Sequence, residues 1–328
     1  MKTAWQTTHK HTVAGKATTS TGGHSHDLAE VEAALLGHSL EIDALAARIA
    51  ALEAPPPPPP VASARVTSIP DLLTRLEEDD LDELVLANGT YRVSPAASKR
   101  SDSLWIGAKF AGRTRPVLVR AETTGGVTFD GGGATYFGGI SFEEGAHDQT
   151  WQGFVFANGT PTQTGVISFG GYAGMAAPHH ITLRDIVIPK SIVSASTGSG
   201  DHALYFSQAV GGPHDILIDG LRVDGSGGVD SALHFFHSDA VNANAWNVTV
   251  RRLAVTATDQ AIVVWDATIR NLLIEDSTIT GATGSAIRYE AGQVTLRRVA
   301  STSSGQYGFY SSKGPNPPGV TFDACDLR

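Results

Sequence analysis

Two hydrophobic periodicities follow one another along the chain. Residues 27 to 54 place apolar side chains at alternating three- and four-residue steps. Leu28, Leu35, Ile42 and Ile49 form one row, and Val31, Leu45 and Leu52 the other, with His38 filling its remaining slot. This heptad seam predicts an amphipathic helix, N-capped by Asp27, that buries its stripe against copies of itself as a coiled-coil stalk. The alternative is a helix lying on the following domain. Pro55 to Pro60 stop the helix and oppose that alternative, because a polyproline II rod projects by about 3.1 Å per residue and resists folding back. Beyond the rod, Ser68-Ile-Pro-Asp-Leu-Leu-Thr-Arg-Leu reads as a short capped helix with Ile69, Leu72, Leu73 and Leu76 on one face, suited to closing the end of a solenoid.

From Leu84 onward the pattern becomes short β runs broken by Gly, Asn and Asp, and these runs are self-similar. The segments ITLRDIVI (from 181), ILIDGLRV (216), VTVRRLAV (248), LLIEDSTI (272), VTLRRVAS (294) and VTFDACDL (320) align with apolar residues at the first, third, sixth and usually eighth positions. Their starts lie 35, 32, 24, 22 and 26 residues apart, which settles near one turn of a three-sided coil. A second set, GDHALYFS, VDSALHFF, TDQAIVVW, GSAIRYEA and GQYGFYSS, follows at similar offsets. It places Leu204, Leu233, Ile262 and Ile287, then Phe206, Phe235, Val264 and Tyr289, on the inside. The fourth position of the first set reads Arg184, Asp219, Arg251, Glu275, Arg297 and Asp323. Strands stacked about 4.8 Å apart would make this an alternating charge ladder that fixes the register. The expected fold for residues 61 to 328 is an all-β right-handed parallel β-helix with an N-terminal capping helix.

Composition agrees with many short strands joined by turns. Gly contributes 36 of 328 residues, and only 17% are charged. A net charge of -9 opposes condensation on nucleic acid or on anionic membranes. The N-terminus lacks an apolar signal core, and no run is long enough to span a bilayer, so neither export by such a signal nor membrane insertion is expected. The single cysteine, Cys325, occupies an apolar slot of the last strand and reads as a small core residue.

The chemistry expected of the coil lies on the outward side of the second strand. One column there reads Tyr205, His234, Val263, Arg288 and Phe309, and the next Ser207, Phe236, Trp265, Glu290 and Ser311, with His237 and Asp266 extending the face. A solvated aromatic face rimmed by charge suits sugar rings and hydroxyls, unless loops 209 to 215 and 239 to 247 fold over it. Tyr205, His234, Phe236, His237, Trp265, Arg288 and Phe309 are therefore candidate ligand contacts. Asp266 and Glu290, on adjacent rungs, are candidate catalytic carboxylates, since glycoside hydrolysis uses pairs roughly 5 to 9 Å apart. Asp201, Asp230 and Asp259 form a further acidic row, whose ordinary role at turns is to bond the backbone.

The run DELVLANGTYRV, RPVLVRAETTGGVTFDGG, GGISF and WQGFVFANG, from about residue 83 to 159, resembles the first turns of the chondroitinase B and alginate lyase family of right-handed β-helices. That resemblance implies β-elimination on acidic polysaccharides by a lysine base and an arginine one turn away, often beside calcium. Here Lys190 and Lys313 are the only lysines after Lys109, and neither has an arginine at the equivalent place one rung on. The N-terminus is similar to phage tail fibre and tail spike proteins: His9-Lys-His11 and His24-Ser-His26 precede a coiled coil, a proline spacer and a β-helix. In such fibres His-x-His pairs from three chains surround one metal ion. This implies a homotrimer with a transition metal, iron or zinc, on His24 and His26; the alternative is solvated loop histidines. The expected protein is a receptor-binding component of a virion tail. Residues 1–26 would dock to other tail proteins, 27–54 oligomerise, 55–60 act as a linker, and 61–328 engage host surface polysaccharide. A polysaccharide depolymerase (hydrolase or lyase) and a structural tail-tip spacer are the alternatives.

Overall fold

Among the described residues every strand pairing is parallel, and the strands form one seventeen-stranded and one eight-stranded sheet. The computed structural model describes residues 61–93, 103–105, 113–134, 137–143, 145–161, 165–170, 176–193, 200–207, 212–236, 246–265, 267–302, 304–314 and 317–328. The chain divides into two units, Met1–Pro60 and Val61–Arg328. The expected docking segment, coiled coil and polyproline linker lie outside the described residues.

The six aligned segments stack in the expected register. Ile181 pairs with Ile216, Ile216 with Val248, Val248 with Leu272, Leu272 with Val294 and Val294 with Val320. Ile181, Leu183, Ile186 and Ile188 of one rung, and Ile216, Ile218, Leu221 and Val223 of the next, are all buried. The fifth position makes the corner. Asp185, Gly220, Arg252, Asp276, Arg298 and Ala324 take φ values of 50, 81, 53, 50, 50 and 51°. One left-handed residue between two extended ones bends the chain, so a single segment supplies two short strands, such as His179–Arg184 and Val187–Ile188. Each rung thus gives two faces to the larger sheet and one to the smaller, which is the three-sided parallel β-helix the sequence predicts.

Every successive pair of the charge ladder is stacked in register, from Arg184 over Asp219 to Arg297 over Asp323. Asp219 accepts from Arg251 at 2.8 Å and also from Arg252 at the corner. Arg297 lies 3.5 Å from Glu275 and 3.1 Å from Asp323. The arginines are largely exposed, so the ladder discriminates register more than it stabilises.

Inside the eight-stranded sheet, Phe142, Phe169, Phe206 and Phe235 stack with ring centroids 5.2, 4.7 and 4.4 Å apart. All four are fully buried, each contributing about 2 to 3 kcal/mol by removal from water. The helix Ile69–Arg75 begins where expected, with the Ser68 hydroxyl accepting from the Asp71 N–H at 3.2 Å. Leu72 and Leu76 are buried, and Ile69 and Leu73 pack against the same core, so the helix covers the first rung. Cys325 is likewise partly buried against the core. No helix among the described residues is long and apolar enough to cross a membrane.

Candidate functional site

The strands His202–Phe206, Ser231–Phe235, Gln260–Val264 and Ser285–Tyr289 set out the candidate face. The pleat turns Leu204 and Phe206 inward and their neighbour Tyr205 outward. In-register pairing then builds the column Tyr205, His234, Val263, Arg288. One residue past each strand, the Phe236, Trp265 and Glu290 N–H groups donate to Phe206, Val264's preceding-rung neighbour Phe235, and Val264 carbonyls respectively, which continues the stack into the second column.

His234 is the centre of this face. Its ring lies 4.1 Å from His202, 5.6 Å from Tyr205, 5.9 Å from Phe236 and 5.8 Å from Trp265, centroid to centroid. It is only 9% exposed, and neither ring nitrogen has a hydrogen-bond partner. Buried polar groups without partners are uncommon and mark strain or a ligand position. Burial, and then the Arg288 charge, bring its pKa down to about 4, so the imidazole is neutral at neutral pH. Burial also pushes the Tyr205 hydroxyl up.

Trp265 is the open part of the face, 42% exposed. Arg288 lays its guanidinium over the indole at 4.9 Å and holds Glu290 at 3.1 Å. One side of the expected sugar platform is therefore already occupied by a cation. Partial burial raises the Glu290 carboxyl, but the Ser312 hydroxyl and Arg288 outweigh it, leaving the pKa below the usual value. An ionised carboxylate suits a base or a nucleophile, not the proton donor of glycoside hydrolysis.

The other sequence candidates divide. Tyr205, His234, Phe236, Trp265 and Arg288 are brought together on this face. Phe309 is not: it pairs with Ile287 in the interior column and packs against the core, while Tyr310 faces Arg288. Gly308 takes the place that Ala286 holds one rung earlier, and that single-residue slip exchanges inside for outside. Ser311 shifts with it, and Ser312 is the residue that meets Glu290. Asp266, His237, His24 and His26 lie outside the described residues. Residues 209–211 and 239–245 of the two loops do too. The burial of His234 and Val263 shows that part of this face is covered. Asp230 accepts from the Gly200 and Asp201 N–H groups at 2.6 and 3.2 Å, the backbone role expected of a turn aspartate.

Two features escape a sequence reading confined to the aligned strands. His202 opens its strand, is buried, pairs with the Ser231 hydroxyl at 2.7 Å and stacks on Tyr205 at 5.2 Å. Its pKa is held well below the ordinary value by burial and then by His234. On the larger sheet His147, His179 and His214 stack over three rungs at 5.2 and 5.0 Å. His147 and His214 each pair with the aspartate that follows, Asp148 at 2.9 Å and Asp215 at 2.7 Å. On the middle rung His180 replaces that aspartate, 3.9 Å from Asp148 and 3.7 Å from Asp215. The signal was present as the dipeptides His147-Asp148, His179-His180 and His214-Asp215, each just ahead of an aligned strand. Among the described residues no group of three or more His, Cys, Asp or Glu is posed to hold a metal ion.

No family model matches the sequence, and no curated protein matches it. Among solved structures the chain is similar to a PL6 family polysaccharide lyase from Pseudopedobacter saltans, at 10% identity over 73% of this chain and 63% of that one, with a TM-score of 0.40. It is also similar to a PL6 family alginate lyase, at 14% identity over 78% of this chain and 41% of that one, with a TM-score of 0.39. The catalytic domain of a GH87 alpha-1,3-glucanase in complex with tetrasaccharides matches at 12% identity over 83% and 70%, with a TM-score of 0.32. The chain spans less than two thirds of the length of either PL6 lyase chain. The functional reading rests on the geometry of the face itself.

Proposed function

We propose that the protein binds a polysaccharide along the eight-stranded face, as the receptor-binding part of a phage tail fibre or spike. The observation that carries the binding reading is the nine-tenths-buried, unpartnered His234 set among His202, Tyr205, Phe236 and the exposed Trp265. Aromatic rings take the apolar faces of sugars, and a buried imidazole supplies one donor and one acceptor for a hydroxyl. The tail assignment is supported by the modular order of the sequence: a histidine-rich start, a heptad seam, a proline rod and then the coil. In that setting His24 and His26 would hold a transition metal, which elemental analysis of the protein with and without His24→Ala/His26→Ala tests directly.

Binding to host-surface polysaccharide, read by affinity electrophoresis, is expected to fall at least tenfold in Trp265→Ala. Undiminished binding in that variant rejects this face as the site. The second reading is a depolymerase, favoured by the ionised Glu290 on the rung next to Trp265. It predicts release of new reducing ends, abolished in Glu290→Gln. Binding without release leaves the adhesin reading. Adsorption unimpaired by deletion of residues 61–328 would leave a spacer.

A further inference from the structure

We infer that the ligand of this face is a neutral polyhydroxylated glycan and not a uronate or other acidic polymer; the inference rests on the glycan-binding reading above. His234 offers the first reason. Both of its nitrogens are buried and unpaired, so one N–H and one lone pair are left unmet at nine-tenths burial. A sugar hydroxyl donates and accepts at once and satisfies both. A carboxylate only accepts, leaving the imidazole lone pair against a negative charge.

The second reason is that the cation of the face is already engaged. Arg288 is paired with Glu290 and laid over Trp265, and Lys313 lies near that same carboxylate. An anion clamp is strongest where a guanidinium offers its whole fork for two parallel bonds, and the Nε edge of Arg288 is already given to Glu290. The histidines are poor substitutes for it, because burial and then Arg288 bring His234 down to about 4, and burial and then His234 hold His202 well below its ordinary value. With a net charge of -9, the long-range field also disfavours an acidic polymer.

The test uses the full chain in affinity electrophoresis against dextran, laminarin and galactomannan as neutral probes, and alginate, polygalacturonate and hyaluronate as acidic ones. Retardation by at least one neutral polymer and by none of the acidic three is expected. For the neutral polymer retained, His234→Phe should lower affinity at least tenfold, His234→Gln should restore part of it by keeping a donor and an acceptor, and Arg297→Gln, on the ladder of the larger sheet, should change it less than threefold. Circular dichroism confirms that each variant is folded. Binding confined to acidic polymers and lost in Arg288→Gln overturns the inference while leaving glycan binding intact, and so does equal binding to both classes. Neutral-glycan binding indifferent to folded His234→Phe also overturns it. Retardation by none of the six counts against the glycan-binding reading itself.

Discussion

His234 carries its cost as well as its use. Its folded pKa of about 4 lies below the ordinary 6.5, so the unfolded chain binds more protons than the folded one between those values. Stability is therefore full above pH 6.5 and is lost as pH falls toward 4, by about 3 kcal/mol in all for a shift of this size. His202 and His179 are displaced in the same direction, His202 by burial and then His234, and His179 by burial and then its neighbours His214, His147 and His180. Replacing His234 with Phe removes the largest single unpaired polar ring from the face without emptying it. Calorimetry from pH 4 to 7 is expected to give a shallower fall in melting temperature for His234→Phe than for the natural chain, with higher stability at the acid end. An identical slope in the two proteins would show that another group titrates.

At the scale of the strand, the corner and the ladder do different work. The corner demands a left-handed residue on every rung, and the chain supplies Asp, Gly, Arg or Ala there, which shows that geometry outweighs side-chain preference. Ala257 is a second such place, at φ 54°, and Gly281 holds the matching position one rung on at φ 67°. Ala257→Gly is expected to raise stability by roughly 0.5 to 1 kcal/mol, because relief of the left-handed penalty exceeds the added backbone entropy. A lower melting temperature would contradict that account. In the ladder Asp219 is 4% exposed and accepts from two arginines, which outweigh its burial and hold its carboxyl below the usual value. Asp219→Ala should cost about 1 to 2 kcal/mol, read by urea unfolding, whereas removing the exposed Arg297 should cost well under 1 kcal/mol. The same contrast explains what was legible in the sequence. Periodicity two and stacked opposite charges report the register of the larger sheet, and all six rungs fell where Ile181, Ile216, Val248, Leu272, Val294 and Val320 put them. The slip at Gly308 was not legible, since Phe309 and Tyr310 suit either side of a pleat. The histidine stack was missed because its residues precede the strands whose apolar pattern defines the alignment, and no hydrophobic signal marks them.

At the scale of the molecule, a solenoid draws its stability from neighbouring rungs, so residues 61–328 contain what they need to fold: a capping helix, stacked interior columns and a continuous phenylalanine row. The heptad segment, read as a stalk, is expected not to. A single helix of its length is marginal in water, and its apolar seam is expected to be buried only by a second or third copy. A sugar site of the kind proposed around the half-exposed Trp265 would bind a single chain weakly, and linking several copies would raise the effective concentration of the second and third sites without any new contact. On that proposal the stalk and the face would act together, and each makes a prediction about the other. Sedimentation velocity at micromolar concentration should show the full chain as an oligomer and the chain lacking residues 1–60 as a folded monomer. Both should bind a monovalent oligosaccharide equally, while only the oligomer should dissociate slowly from a surface densely coated with the polymer. A monomeric full chain would remove the stalk from the account, and equal off-rates from the dense surface for oligomer and monomer would show that the copies do not bind together.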